Sequence, residues 1–256
     1  MGYADGVFDL TDQVVLITGG SRGLGREMAF AVAHCGADVI IASRNYDSCV
    51  TTADEIREAT GRRVLPYAVH VGRWNELDGL VDAAYERFGK IDTLINNAGM
   101  QPTYDSLTSV SEKLFDSVLN LNLKGPFRLA ALVGEKMVQA GRGSIINVSS
   151  TGSIRPTPWI VPYAAAKAGL NAMTEGLALA FGPNVRVNTL MAGPYLTDVS
   201  KAWGLESLEP SRNPFAAHAL RRAGRPDEII GAALFLASDA SSYTTGSILR
   251  SDGGIP

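Results

Sequence analysis

The chain has 256 residues, of which 46% are hydrophobic and 19% charged. That balance excludes a disordered or collagen-like polymer and supplies the apolar side chains of a large core. A net charge of −3 leaves no basic surplus for nucleic acid or anionic membranes.

No apolar run approaches the ~20 residues that span a bilayer. Residues 1–11 lack the basic and apolar regions of a secretory signal. Cys35 and Cys49 are unclustered and read as reduced thiols, so a cytoplasmic protein is expected. His34, His70 and His218 have no zinc-ligand spacing, and no catalytic metal is expected.

In chain order, the pattern predicts strand 14–18, helix 24–34, strand 39–42, helix 47–60, strand 64–69, helix 74–88 and strand 91–95. It continues with helix 111–140, strand 144–148, helix 163–181, strand 185–190, helix 227–238 and a short strand 247–249. The strands are largely apolar without polar alternation, the mark of strands buried on both faces. Alternation with helices predicts one α/β domain over residues 1–256: a doubly wound, seven-stranded, mostly parallel sheet with helices on both faces. Residues 198–225, with Trp203, Pro210, Pro214 and Phe215, break the rhythm and are expected to form a substrate loop or lid.

The first strand runs into Thr18-Gly19-Gly20-Ser21-Arg22-Gly23-Leu24-Gly25 and then a helix. Glycines there permit a tight turn and close approach of a pyrophosphate to the helix N-terminus, which carries unpaired N–H groups. Strand, glycines and helix in this order point to a dinucleotide site. The second strand ends Ala42-Ser43-Arg44-Asn45, without the carboxylate that accepts from the ribose 2′-hydroxyl of NAD. Arg44 and Arg22 are placed to pair with a 2′-phosphate, which favours NADP over NAD.

Tyr163 and Lys167, four residues apart at the start of a predicted helix, share a face. A phenol titrates near ~10 and is a poor acid or base at neutral pH unless a neighbouring ammonium stabilises its phenolate.

The glycine loop, Asn96-Asn97-Ala98-Gly99, Asn122, Asn147-Val148-Ser149-Ser150 and Tyr163…Lys167 occur in the order and spacing of the short-chain dehydrogenase/reductase family. The chain resembles that family over nearly its whole length, including Asp252-Gly253-Gly254 near the end. The resemblance implies a Rossmann-type fold and interconversion of an alcohol and a carbonyl. It implies Tyr163 as general acid and base, Lys167 as the group that lowers its pKa and binds the nicotinamide ribose, and Ser150 as the carbonyl orienter. Asn122 would help hold a water linking Lys167 to solvent. Asn97, Ala98 and Gly99 would flank the adenosine side; Gly193, Tyr195 and Thr197 would contact the nicotinamide end. Two positions depart from the family pattern: His70-Val71 replaces Asp-Val at the adenine, where a neutral imidazole nitrogen would accept instead, and Ala192-Gly193 replaces Pro-Gly.

Met100, Gln101, Pro102, Arg155 and Trp159, with Tyr195, Trp203 and Phe215, are the expected substrate lining, which suggests an apolar or ring-shaped alcohol or ketone. Alternatives are a 3-oxoacyl-(acyl-carrier-protein) reductase-like enzyme and a non-catalytic NADP-binding sensor. The first is disfavoured because no Lys or Arg lies between Lys167 and Arg186, and the second by the intact Ser150, Tyr163 and Lys167. The spacing of Tyr163 and Lys167 fits carbonyl chemistry better than the family's enoyl reductases. Apolar surplus on the helices 111–140 and 163–181 predicts a homotetramer or dimer.

Overall fold

The computed structural model describes residues 6–197 and 214–256. Seven strands form one sheet in the order β3-β2-β1-β4-β5-β6-β7. They are β1 Val14–Thr18, β2 Asp38–Ser43, β3 Val64–Ala68, β4 Thr93–Asn96, β5 Gly143–Ser150, β6 Val185–Ala192 and β7 Ile248–Ser251. Every pairing is parallel, so the expected mostly parallel sheet is wholly parallel. Chain order reverses between β1 and β4, which opens a crevice at the carboxyl ends of those strands.

The helices are α1 Gly23–His34, α2 Tyr46–Thr60, α3 Leu77–Phe88, α4 Glu112–Leu119, α5 Gly125–Ala140, α6 Val161–Phe181 and α7 Ile230–Ala237. One core joins Met28, Val32, Ile56 and Leu236 to one face of the sheet. The other joins Leu80, Leu129, Val133 and Leu177 to the opposite face. Burial on both sides explains the largely apolar strands. Pro66, which has no N–H for a ladder, sits on the edge strand β3.

The predicted helix over 111–140 is two helices, joined by a π turn at Asn120–Lys124. Pro126 has no N–H, so the Asn122 carbonyl lacks the donor that a continuous α-helix would give it. Single π turns concentrate at functional sites.

No helix among the described residues is long and apolar enough to cross a membrane.

Candidate active site

The carboxyl ends of β1, β2, β4, β5 and β6 open into a cavity of about 1020 Å³. Of the predicted site residues, all but His70 and Asn122 line it.

At the floor, Arg22 precedes α1 without giving it a side-chain cap, and the first turn of the helix holds no acidic residue. Its N–H groups and partial positive charge are therefore available to an anion. Gly25 permits the close packing of this loop: a β-carbon there would fall on the Gly19 carbonyl oxygen and the Asn97 side-chain amide. That amide donates to the Thr18 carbonyl at 2.9 Å, so Asn97 braces the loop. Thr18, which the sequence reading did not single out, completes the brace. Its hydroxyl accepts from the Asn97 and Ala98 N–H groups, both at 3.0 Å.

At the end of β2, the Ser21 and Ser43 hydroxyls hydrogen-bond at 2.9 Å. Asn45 accepts from the Ser48 N–H at 2.9 Å and caps α2. The guanidinium groups of Arg22 and Arg44 line the cavity without an ion pair among the described residues. The lining holds no Asp or Glu among the described residues.

His70 departs from expectation. Its Nδ1 accepts from the Gly72 N–H at 3.1 Å, so that nitrogen is already engaged. Val69 and Val71, on either side, line the cavity instead.

The candidate catalytic side chains stand where β5 ends and α6 begins. Ser150 is the last residue of β5. Its hydroxyl accepts from the Gly152 N–H at 3.1 Å and hydrogen-bonds Tyr163. Ser149, one residue earlier, points elsewhere and donates to the Lys167 carbonyl at 3.4 Å. Burial pushes the Tyr163 phenol above its ordinary value, and the bond with Ser150 partly offsets this. Lys167 is 3% exposed. Burial lowers its ammonium to about 8, and its Nζ donates to the Val148 carbonyl at 2.7 Å.

Asn122 lies behind this group, fully buried. Its side-chain oxygen accepts from the Met100 N–H at 3.2 Å, and its amide donates to the Met100 and Val118 carbonyls, both at 2.9 Å. The side chain is thus spent on fixing the turn after β4. A β-carbon on Gly99 would lie 2.8 Å from the Asn122 oxygen and 3.7 Å from Lys167 Nζ, so the glycine keeps open the gap between the two.

Gly193 and Tyr195 follow β6. A β-carbon on Gly193 would meet the Asp252 Cα at 2.5 Å, so the glycine lets the ends of β6 and β7 approach. The Tyr195 hydroxyl shares a 2.5 Å hydrogen bond with Ser251. Met100, Gln101, Pro102, Arg155 and Phe215 line the cavity, whereas Trp159 is 59% exposed and outside the lining. Trp203 and residues 198–213 of the expected lid lie outside the described residues. The flanks of that segment are tied together: Gly224 donates to the Pro194 carbonyl at 3.0 Å and accepts from Leu196 at 2.8 Å.

Such a site defines an oxidoreductase that acts on CH–OH groups with NAD(P). Residues 19–256 match the family described as enoyl-(acyl carrier protein) reductase. The chain is 39% identical to the peroxisomal 2,4-dienoyl-CoA reductase of Danio rerio, over 96% of this chain and 82% of that one. It is 38% identical to the 3-oxoacyl-[acyl-carrier-protein] reductase FabG of Thermotoga maritima, over 96% of this chain and 98% of that one. Among solved structures, it resembles a gluconate 5-dehydrogenase of Burkholderia cenocepacia in complex with NADP and tartrate. That likeness has a TM-score of 0.91 and 32% identity, over 99% of this chain and 98% of that one. The chain belongs to the short-chain dehydrogenase/reductase family.

Proposed function

We propose that the protein interconverts a secondary alcohol and a ketone with NADP(H), using Tyr163 as general acid and base. The observation that carries this reading is the gathering of Ser150, Tyr163 and the buried Lys167 in the same cavity as the glycine loop.

The chain fits the cofactor. The uncapped start of α1 and the packed glycines suit a pyrophosphate, and Arg22 and Arg44, without an ion pair among the described residues, suit a 2′-phosphate. Ser43 and Asn45 would border that phosphate, and Val71, Asn97, Ala98 and Gly99 would border the adenosine. Gly193, Tyr195 and Thr197 would hold the nicotinamide end. When bound, NADP(H) supplies or accepts the hydride.

The chain handles the proton. In reduction, Tyr163 donates its phenolic proton to the carbonyl oxygen, and Ser150 donates a hydrogen bond to the same oxygen and fixes its place. The Lys167 ammonium favours the phenolate left behind. The Asn122 carbonyl, deprived of its donor by Pro126, accepts from a water between Lys167 and solvent. In oxidation the proton runs the other way.

A second reading, reduction of an acyl thioester, draws on the Danio rerio and Thermotoga maritima relatives. The test is steady-state turnover of simple ketones, a 3-oxoacyl thioester and a 2,4-dienoyl thioester with NADPH, using Tyr163→Phe as control. Tyr163-dependent ketone reduction supports the reading; thioesters turned over far better than ketones overturn it in favour of the second.

We also infer a cytoplasmic homotetramer or dimer. Phe115 on α4, Phe127 on α5 and Leu179 on α6 are 41%, 43% and 87% exposed, an apolar surface that a second copy would cover. A monomeric mass by light scattering at micromolar concentration overturns this.

A further inference from the structure

Ser150 stands at the end of a strand, while Tyr163 and Lys167 stand on a helix, so contacts between β5 and α6 must fix how the three meet. One such contact is a chain of side-chain hydrogen bonds behind the cavity. The Asn171 amide on α6 donates to the Ser153 hydroxyl at 2.9 Å. The Ser153 hydroxyl in turn donates to the Ser150 carbonyl at 2.6 Å.

Both ends of this chain are well placed. Asn171 follows Lys167 by four residues and Tyr163 by eight, which puts the three side chains on one face of α6. Ser153 closes the single 3-10 turn Thr151–Ser153 that follows Ser150. The same turn holds the Ser150 hydroxyl, to which the Gly152 N–H donates at 3.1 Å. Carbonyl and hydroxyl of Ser150 are therefore both held by this turn, and Asn171 ties the turn to the helix.

Asn171 is a costly residue for the fold. It is 8% exposed, and its side-chain oxygen is buried without a hydrogen-bond partner. An unpaired buried acceptor destabilises, and Asn is a poor residue for a helix interior. Leucine has nearly the same shape and carries neither cost. The bond to Ser153 is what the amide supplies in return.

We propose that Asn171, acting through Ser153, is a positioning residue that sets the Ser150 hydroxyl against Tyr163 and Lys167. Neither Asn171 nor Ser153 lines the cavity, so their effect on the reaction runs through Ser150. The inference rests on the alcohol–ketone reading and adds to it the residues that hold Ser150 in place.

The test is reduction of cyclohexanone, acetophenone and 2-pentanone by NADPH in the parent, Asn171→Leu, Ser153→Ala and the double variant, with a thermal melt and an NADPH titration on each. Asn171→Leu is expected to lower kcat about tenfold, since small misplacements of a reacting group are expensive, while KM changes little. NADPH affinity should stay that of the parent, and the variant should melt at or above the parent temperature. A residue that serves the fold alone would lose melting temperature together with activity. Ser153→Ala should match Asn171→Leu in kcat, and the double variant should be no slower than the slower single one, because the two side chains are links of one chain. The proposal is overturned if Asn171→Leu keeps the parent kcat, or if its lower kcat comes with a lower melting temperature or weaker NADPH binding. It is also overturned if the losses of the two single variants add. Unaffected variants of an active parent remove only the positioning role, whereas a parent that reduces none of the three ketones removes the reading beneath it as well.

Discussion

Lys167 donates to the Val148 carbonyl at 2.7 Å and stands 5.9 Å from the centre of the Tyr163 ring. Its ammonium is therefore oriented by the strand that carries Ser150, and it is buried.

That burial has a consequence for stability. The Lys167 pKa is lowered to about 8 from 10.5 because burial penalises the charged form. Below pH ~8 the folded protein bears the full penalty of a buried ammonium. Between ~8 and ~10.5 the folded lysine has lost its proton while the unfolded one keeps it, so folding is increasingly favoured as pH rises. The shift bounds the effect at about 3 kcal/mol. Urea denaturation of the parent and Lys167→Met from pH 7 to 9.5 is expected to show the variant gaining on the parent at low pH, with the difference shrinking as pH rises. A difference that does not change with pH contradicts it.

Arg22 and Arg44 are predicted to select the cofactor. Each faces the cavity without a carboxylate partner among the described residues, so each has a charge to give a 2′-phosphate. Arg44→Ala and Arg22→Ala should each weaken NADPH binding about tenfold, ~1.4 kcal/mol, and leave NADH binding nearly unchanged. Quenching of tryptophan fluorescence by the two cofactors reads both constants. NADH binding as tight as NADPH in the parent would make the arginines ordinary surface charges.

Thr18 should be as sensitive as any glycine of the loop, through hydrogen bonds alone. Its hydroxyl serves the N–H groups of Asn97 and Ala98, and Thr18→Val keeps the shape while leaving both without that acceptor. A cost of about 1–3 kcal/mol is expected, together with weaker NADPH binding. Thr18→Ser should recover most of both. Thermal melts with and without NADPH distinguish loss of the brace from loss of the fold.

The sheet was legible because β1, β2, β4, β5 and β6 are largely buried on both faces, so their strands are mostly apolar, although Asn147 in β5 and Arg186, Asn188 and Thr189 in β6 interrupt the pattern. The edge strand β3 is less buried and ends one residue before the predicted boundary. The glycine loop and the Tyr163–Lys167 pair were visible in local spacing, and Ser150 through the family resemblance; the structure brings all of them to one cavity. The break in the helix over 111–140 had a local signal in Pro126, but apolar periodicity ran through it. His70 stands outside the cavity lining, its Nδ1 taken by the Gly72 N–H two residues away, a local bond that the sequence does not announce. His218 gave no signal at all: its place in the cavity depends on pairing with residues 253 and 254, which no pattern in the sequence announces.

Two glycines of the phosphate loop should fail for different reasons when given a methyl group. Gly23 has φ +53°, and a β-carbon there would meet only Thr197, at 3.7 Å. Gly23→Ala therefore meets left-handed backbone strain in open space, expected to cost about 1–2 kcal/mol. Gly25 is helical, and its β-carbon would strike the Gly19 carbonyl and the Asn97 amide, so backbone must move and the brace on the loop must break. Gly25→Ala is accordingly predicted to be the more damaging of the two, in melting temperature and in NADPH affinity alike. Differential scanning calorimetry and cofactor titration on both variants decide it. Equal losses would mean that the loop yields freely around residue 25, and that the packing of α1 against Asn97 does not hold the phosphate site in shape.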